Sequence, residues 1–178
     1  MTIKIIGSRI YLTEMKEDDA IKLNEYSREP KLSDFSGPYK ASESIEKALE
    51  YIRNSKKNIS EKKFYILGIY EKNTDEFVGT IGFFDLDNEN KKGEIGFWVA
   101  KDYWNKGYMT EAIKIMTNYI FKELKYKRVF AHFHELNKAV GRILNKAGYE
   151  KEGELKEALK SKDGKYYNDV IYGIVNSF

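Results

Sequence analysis

The 178-residue chain has no cysteine, which excludes a disulfide scaffold, a thiol nucleophile and a cysteine-ligated zinc. Any sulfur chemistry must arrive with a cofactor. There are only two prolines, Pro30 and Pro38, and no stretch reaches the roughly 18 apolar residues of a membrane span. The run from Met1 to Leu12 carries Lys4 and Arg9 in a short β-like pattern and lacks the apolar centre of a secretory signal, so a soluble cytoplasmic protein with no membrane partner is expected. Charge of one sign is scarce as well. The 31 Lys and Arg exceed the 28 Asp and Glu by +3, spread without a long basic run, so no direct nucleic-acid role is expected. Internal repeats, low-complexity tracts and linkers are also missing.

What remains is a composition that folds. Hydrophobic residues make up 42% of the chain and charged residues 33%, with 14 Tyr, 10 Phe and 2 Trp, so disorder is not expected and residues 1–178 read as one domain. Arg9 to Glu14 reads as a strand. Ala20, Ile21 and Leu23 then give a short amphipathic helix that ends at Pro30. The Ser/Gly/Pro-rich segment from Lys31 to Ala41 could line a site or simply connect two helices. Ser42 starts the second helix, with Ile45, Ala48, Leu49 and Ile52 at helical spacing. Phe64–Glu71 and Phe77–Leu86 form a hairpin around the turn cluster Lys72 to Asp75, and Glu94–Ala100 is the next strand.

Ala112, Ile113, Met116, Tyr119, Ile120 and Leu124 mark one helix face. Arg128–His134 is a strand, and Lys138–Ala147 is a helix framed by Asn137 as N-cap and Gly148 as C′ residue. Tyr149–Leu155 and Tyr166–Val175 close the chain as strands, with Asp163-Gly164 as the turn before the last. The order β, α, α, β, β, β, α, β, α, β, β predicts an α+β (mixed α/β) fold. It would be built on a mostly antiparallel twisted sheet with helices on both faces.

The most informative stretch runs from Glu94 to Ala112. A strand passes through a loop with one glycine, Gly107, into a helix, so unpaired backbone N–H groups and the positive helix end converge where a phosphate would be held. Both prolines lie elsewhere, so every residue from Asn105 to Thr110 keeps its N–H, and Lys106 can add a point charge. An ordinary strand-to-helix turn has the same outline. The Gly-x-x-x-x-Gly-Lys-Ser/Thr pattern of a nucleoside-triphosphate loop is absent.

Trp104-Asn105-Lys106-Gly107-Tyr108-Met109-Thr110-Glu111-Ala112 resembles the acyl-CoA pyrophosphate loop of the GCN5-related N-acetyltransferases, in the ribosomal-protein N-terminal acetyltransferase branch. Asn137 to Tyr149 is similar to that branch's second motif, followed by Glu152-Gly153 and the terminal Gly164 to Asp169, in the family's order from about Arg9 to the end. The resemblance implies acetyl-CoA as co-substrate. It assigns cofactor contacts to Phe97, Trp98 and Val99 on the strand, to Asn105, Lys106, Gly107, Tyr108, Met109 and Thr110 in the loop, and to Asn137 and Arg142 beyond it.

Three positions depart from the pattern. Asn105 stands where a glycine is common and Met109 where a small residue is usual, and neither removes an N–H. Val140 occupies a position where the branch often carries a serine, and Leu144 stands where other branches place a tyrosine, so the general acid is unassigned.

Glu94 shares a strand face with Gly96 and Trp98, and the resemblance puts this strand beside the thioester. Glu94 is therefore a candidate catalytic base, or else a solvated carboxylate at a strand start. His132 and His134 also share a face. With no cysteine and no evident third ligand, strand packing is the better account of the pair than a metal site, and His134 is the second candidate base. Asn137 can be both an N-cap and a contact of the pantetheine arm.

The implied activity is transfer of the acetyl group of acetyl-CoA to a primary amine by direct attack in a ternary complex. A protein N-terminus, ribosomal or other, is the expected acceptor, and the enzyme is expected as a monomer or homodimer. Small amines, including polyamines and amine-bearing antibiotics, are the competing acceptor class. A non-catalytic acyl-CoA sensor and a ribosome-associated interaction module are the alternatives that need no turnover.

Overall fold

The computed structural model describes residues 2–30, 44–161 and 164–177. Along the chain run β1 (Lys4–Ile6), β2 (Ile10–Thr13), α1 (Ala20–Tyr26), α2 (Ile45–Ser60), β3 (Tyr65–Glu71), β4 (Phe77–Asp87) and β5 (Lys92–Val99). They are followed by α3 (Tyr108–Lys122), β6 (Arg128–His134), α4 (Lys138–Ala147), β7 (Glu150–Lys160) and β8 (Tyr166–Val175). The strands form one eight-stranded sheet in the order β1-β2-β3-β4-β5-β6-β8-β7. Every pairing is antiparallel except that of β5 with β6, which α3 connects.

Helices cover both faces of the sheet, as the sequence predicts. On one face Ile113, Met116 and Ile120 of α3 and Leu144 and Ala147 of α4 are buried against Leu12, Leu67, Ile81, Phe83, Ile95 and Val129. On the other, Leu23 of α1 and Ala48 and Ile52 of α2 pack on Met15, Tyr70 and Phe77. Because alternate strand residues face opposite ways, Trp98 falls on the second face, where its ring meets the Phe77 ring at 6.2 Å and 74°. The hydroxyl of Tyr149, fully buried under α3, bonds that of Thr117 at 2.7 Å, which satisfies both groups away from water.

Four expectations are corrected. The N-terminal region makes an additional strand, β1, because Gly7 turns the chain back so that Lys4–Ile6 pairs with Tyr11–Thr13. The second helix has Ser44 as its N-cap, its Oγ accepting the Lys47 N–H, and so begins later than Ser42, which lies outside the described residues. The strand expected over Glu94–Ala100 starts at Lys92 and ends at Val99. That expected over Tyr149–Leu155 runs from Glu150 to Lys160, since the charged residues after Leu155 alternate on an edge strand and a bulge absorbs Glu157, at φ 51°. The Lys31–Ala41 segment and Asp163 of the predicted turn lie outside the described residues.

The seam between β4 and β5 sets the position of the loop that follows Val99. Gly79 pairs with Val99, and a methyl group on Gly79 would stand 2.3 Å from the Trp98 carbonyl oxygen and 2.8 Å from Val99 Cα. These are backbone atoms that cannot yield without parting the strands. Gly79→Ala is expected to destabilise the protein by about 2 kcal/mol or more in urea unfolding. An unchanged midpoint would show that the seam tolerates displacement.

Candidate active site

The loop from Ala100 to Gly107 is held from several sides. Arg9, at the start of β2, donates its backbone N–H to Glu111 Oε1 at 2.8 Å and its Nε to Glu111 Oε2 at 3.0 Å, while its guanidinium reaches the Lys106 carbonyl oxygen at 2.7 Å and lies over the Tyr108 ring. Tyr103 donates its hydroxyl to Glu76 Oε2 at 2.6 Å, and the Trp104 indole N–H bonds the Val99 carbonyl oxygen at 2.8 Å. Gly107 takes φ 81° as the N-cap of α3, a conformation open to glycine at little cost, and Asn105 sits at φ 59°.

Side chains thus anchor the loop while its amides stay open. The first backbone bond of α3 runs from the Glu111 N–H to the Gly107 carbonyl, and the N–H groups from Asn105 through Thr110 have no acceptor among the described residues. Converging donors at the positive end of a 15-residue helix suit a pyrophosphate.

Beside this loop the sheet opens. The parallel ladder of β5 and β6 stops at Glu94 and Phe130, although β5 continues with β4 to Val99 and β6 with β8 to His134. Past Glu94 the edge of β5 has no ladder partner among the described residues, which suits an extended amide-bearing arm laid along it as an added strand. Asn137 is the N-cap residue of α4, as expected, but makes no side-chain capping bond.

On the face opposite α3, the opening is bordered by Glu94, His132 and Asp169. Burial, aided by Asp85 and Asp169, pushes the Glu94 carboxyl above the ordinary carboxylate range, against the opposing pull of His132. His132 Nδ1 lies 2.8 Å from Asp169 Oδ2, and Asp169 Oδ1 is buried without a hydrogen-bond partner among the described residues. His134 stacks on Tyr167 at 4.5 Å, and its Nδ1 accepts the Leu136 N–H at 3.2 Å. A neutral His134 therefore carries its proton on Nε2.

The structure brings Trp98, Val99 and the residues from Asn105 to Thr110 to one end of the opening and Glu94 to its other border. Several of these have side chains turned to the body of the protein. Met109 is buried in the core, Phe97 packs partly against it, and the carbonyl of Val99 is occupied by Trp104. Lys106 Nζ lies 5.3 Å above the Tyr103 ring. Arg142 is not grouped with the loop; it lines a groove of about 350 Å³ with Glu135, Lys138, Lys151 and Glu154 between α4 and the β7–β8 hairpin. Sequence reasoning missed Arg9 and Glu111 as the loop's clamp and the pairing of His132 with Asp169. Only the placement of Asp169 at the end of the terminal motif pointed toward the last.

Residues 9–150 match the model of the acetyltransferase (GNAT) domain. The uncharacterized N-acetyltransferase YoaA of Bacillus subtilis (strain 168) is 34% identical over 133 residues, 75% of each chain. The [ribosomal protein uS5]-alanine N-acetyltransferase of Escherichia coli (strain K12) is 25% identical over 108 residues, 60% of this chain and 55% of that one. Among solved structures, the ribosomal L7/L12 alpha-N-protein acetyltransferase RimL in complex with coenzyme A superposes with a TM-score of 0.87 at 17% identity, covering 97% of this chain and 98% of that one.

The clamp has a pH signature. Burial alone would raise the Glu111 carboxyl, but the bonds from the Arg9 N–H and guanidinium outweigh it and hold the group below the ordinary carboxylate range. A carboxyl lowered by folding contributes stability above its unfolded value of about 4.3, and the contribution is lost as pH falls through the folded value. Glu111→Gln is expected to cost about 1–2 kcal/mol at pH 7, with the difference from wild type closing as acid unfolding is followed below about pH 4. A gap that persists in acid would assign the effect to packing.

Proposed function

The chain belongs to the GNAT acetyltransferase family, and from that premise we propose that it transfers the acetyl group of acetyl-CoA to the α-amine of a protein or peptide N-terminus. The observation that carries the reading is the row of N–H groups from Asn105 to Thr110, without an acceptor among the described residues, beside the opening between β5 and β6. The loop fits a pyrophosphate, the edge of β5 fits the pantetheine arm with Asn137 near it, and the amine meets the thioester in the opening. Its nitrogen attacks the carbonyl carbon, the C–S bond breaks, one amine proton leaves, and the CoA thiolate takes a proton from water. Holding both reactants in one cleft supplies much of the rate. Donors near Trp98 and Val99 polarise the carbonyl.

The acceptor class follows from acid–base chemistry. An α-amine with pKa about 7.7–8.0 is roughly a tenth neutral at pH 7, whereas a lysine amine near 10.4 is neutral in well under about one part in a thousand. Val140 is partly buried against the core and has no proton to give, so the site is modestly equipped and suits the amine that needs least deprotonation. The name of the Escherichia coli relative, a [ribosomal protein uS5]-alanine N-acetyltransferase, supports a protein acceptor.

Two outcomes are expected. Gly107→Asp sets a carboxylate beside the N-terminus of α3, in a left-handed conformation and against the Arg9 guanidinium that holds the loop, and should weaken CoA binding by about 100-fold or more in calorimetry while the circular dichroism stays native. Unchanged affinity would mean an ordinary turn. In a competition between peptides with free and blocked N-termini, each with an internal lysine, alongside spermidine and an aminoglycoside, the free N-terminus should be acetylated first. Acetylation of the blocked peptide's lysine or of the small amines alone would overturn the acceptor and leave the transferase standing. Binding of CoA without any turnover would favour a sensor.

A further inference from the structure

We propose that His132, oriented by Asp169, is the catalytic base that takes the proton from the acceptor amine. The proposal rests on the acetyl-transfer reading above and assigns the one proton step it leaves open. In register, continuing the β5–β6 ladder past Glu94 and Phe130 would set His132 beside Gly96, so His132 stands on the rim of the opening and on the same face as Glu94 and Trp98. Its side chain is one-third exposed, so a substrate amine can reach it and the proton can pass on to water.

The hydrogen bonds fix what each ring nitrogen can do. A carboxylate is acceptor only, so at 2.8 Å from Asp169 Oδ2 the His132 Nδ1 carries the proton, and the neutral ring presents its lone pair on Nε2. His134, two residues on and on the same face, is the reverse case, its Nδ1 lone pair being taken by the Leu136 N–H. Of the two imidazoles, His132 is the one whose outer nitrogen can accept.

Asp169 does more than hold the ring. Its other oxygen is buried with no hydrogen-bond partner among the described residues, and His132 is its ion-pairing partner. An imidazolium formed on taking the amine's proton sits directly against this carboxylate as its counter-charge. The charged and titratable groups that face His132 are Asp169 from β8, Glu94 from β5 with Asp85 of β4 acting on it, and the neighbouring His134 of β6.

The step balances simply. The ammonium N–H bond breaks as the Nε2–H bond forms, and the imidazolium returns that proton to water; the freed amine attacks the thioester carbon, its nitrogen gives up a second proton to water as the C–S bond breaks, and the departing thiolate takes a proton from water.

With only two histidines in the chain, nitrogen NMR of the imidazoles reads each ring separately and needs no acceptor. At pH 8.5 the expected result is His132 with its proton on Nδ1 and His134 with its proton on Nε2. Activity is then measured with acetyl-CoA and an alanine-initiated hexapeptide, or spermidine if the peptide is not acetylated. His132→Gln and Asp169→Asn should each lower kcat by about 100-fold with unchanged CoA affinity by calorimetry. His132→Gln should also remove the acid limb of the kcat/KM profile, which Glu94→Gln retains.

His132 protonated on Nε2 would overturn the proposal. So would a His132→Gln enzyme within about threefold of wild type, or an acid limb that survives in it and vanishes in Glu94→Gln. None of these results touches acetyl transfer itself, and failure of wild type on both acceptors would count against the acceptor assignment while the ring tautomers still decide the role of His132.

Discussion

Strands β5 and β6 share three residue pairs, Lys92 to Glu94 with Arg128 to Phe130, and then part company. Each is claimed over its length by a different antiparallel neighbour, β5 by β4 as far as Val99 and β6 by β8 as far as His134. Antiparallel ladders are somewhat stronger per residue than parallel ones, and twist accumulates between strands, so the short parallel seam is where the sheet gives way. The opening is thereby a consequence of sheet order. It puts the free edge of β5, the N-terminus of α3 and the inward face of β6 within one region, and the candidate chemistry occupies that region.

The loop at the end of β5 shows how a glycine-poor segment can still offer its amides. Its aromatic and charged side chains point away from the helix end and bind the body of the protein: Tyr103 to Glu76, Trp104 to the Val99 carbonyl, Tyr108 beside Arg9, and Arg9 in turn to Glu111. The loop is held by residues distant in sequence, which fixes where its N–H groups stand.

Much of the fold was legible because period and punctuation agree. The helix face from Ala112 to Ile120, the Lys72–Asp75 turn and the Asn137/Gly148 frame of α4 each follow from local pattern, and the structure has them at those places. Strand β1 was not separated from β2 because the β-like run from Met1 to Leu12 marks the turn between them with Gly7 alone, and the extent of β7 escaped because Lys156-Glu157-Ala158 looks helical until an edge position and a bulge accommodate it. At the site, the loop was legible since the anion cradle is a local feature of strand, glycine and helix. The Arg9–Glu111 clamp and the His132–Asp169 pair were not, since their partners lie 102 and 37 residues apart and meet only through strand pairing. The hydrogen bonds that set His132 and His134 apart, one with Asp169 and the other from the Leu136 N–H, are likewise beyond any spacing argument.

In the proposed enzyme the co-substrate lies in the opening between β5 and β6, with its pyrophosphate on the α3 N-terminus. Amide NMR of the protein titrated with CoA tests this placement. The largest shift changes are expected at the N–H groups of Asn105 to Thr110, with further changes along Gly96 to Val99 and at Asn137. Changes confined to the groove of Arg142, Lys151 and Glu154, with the loop amides unmoved, would contradict it.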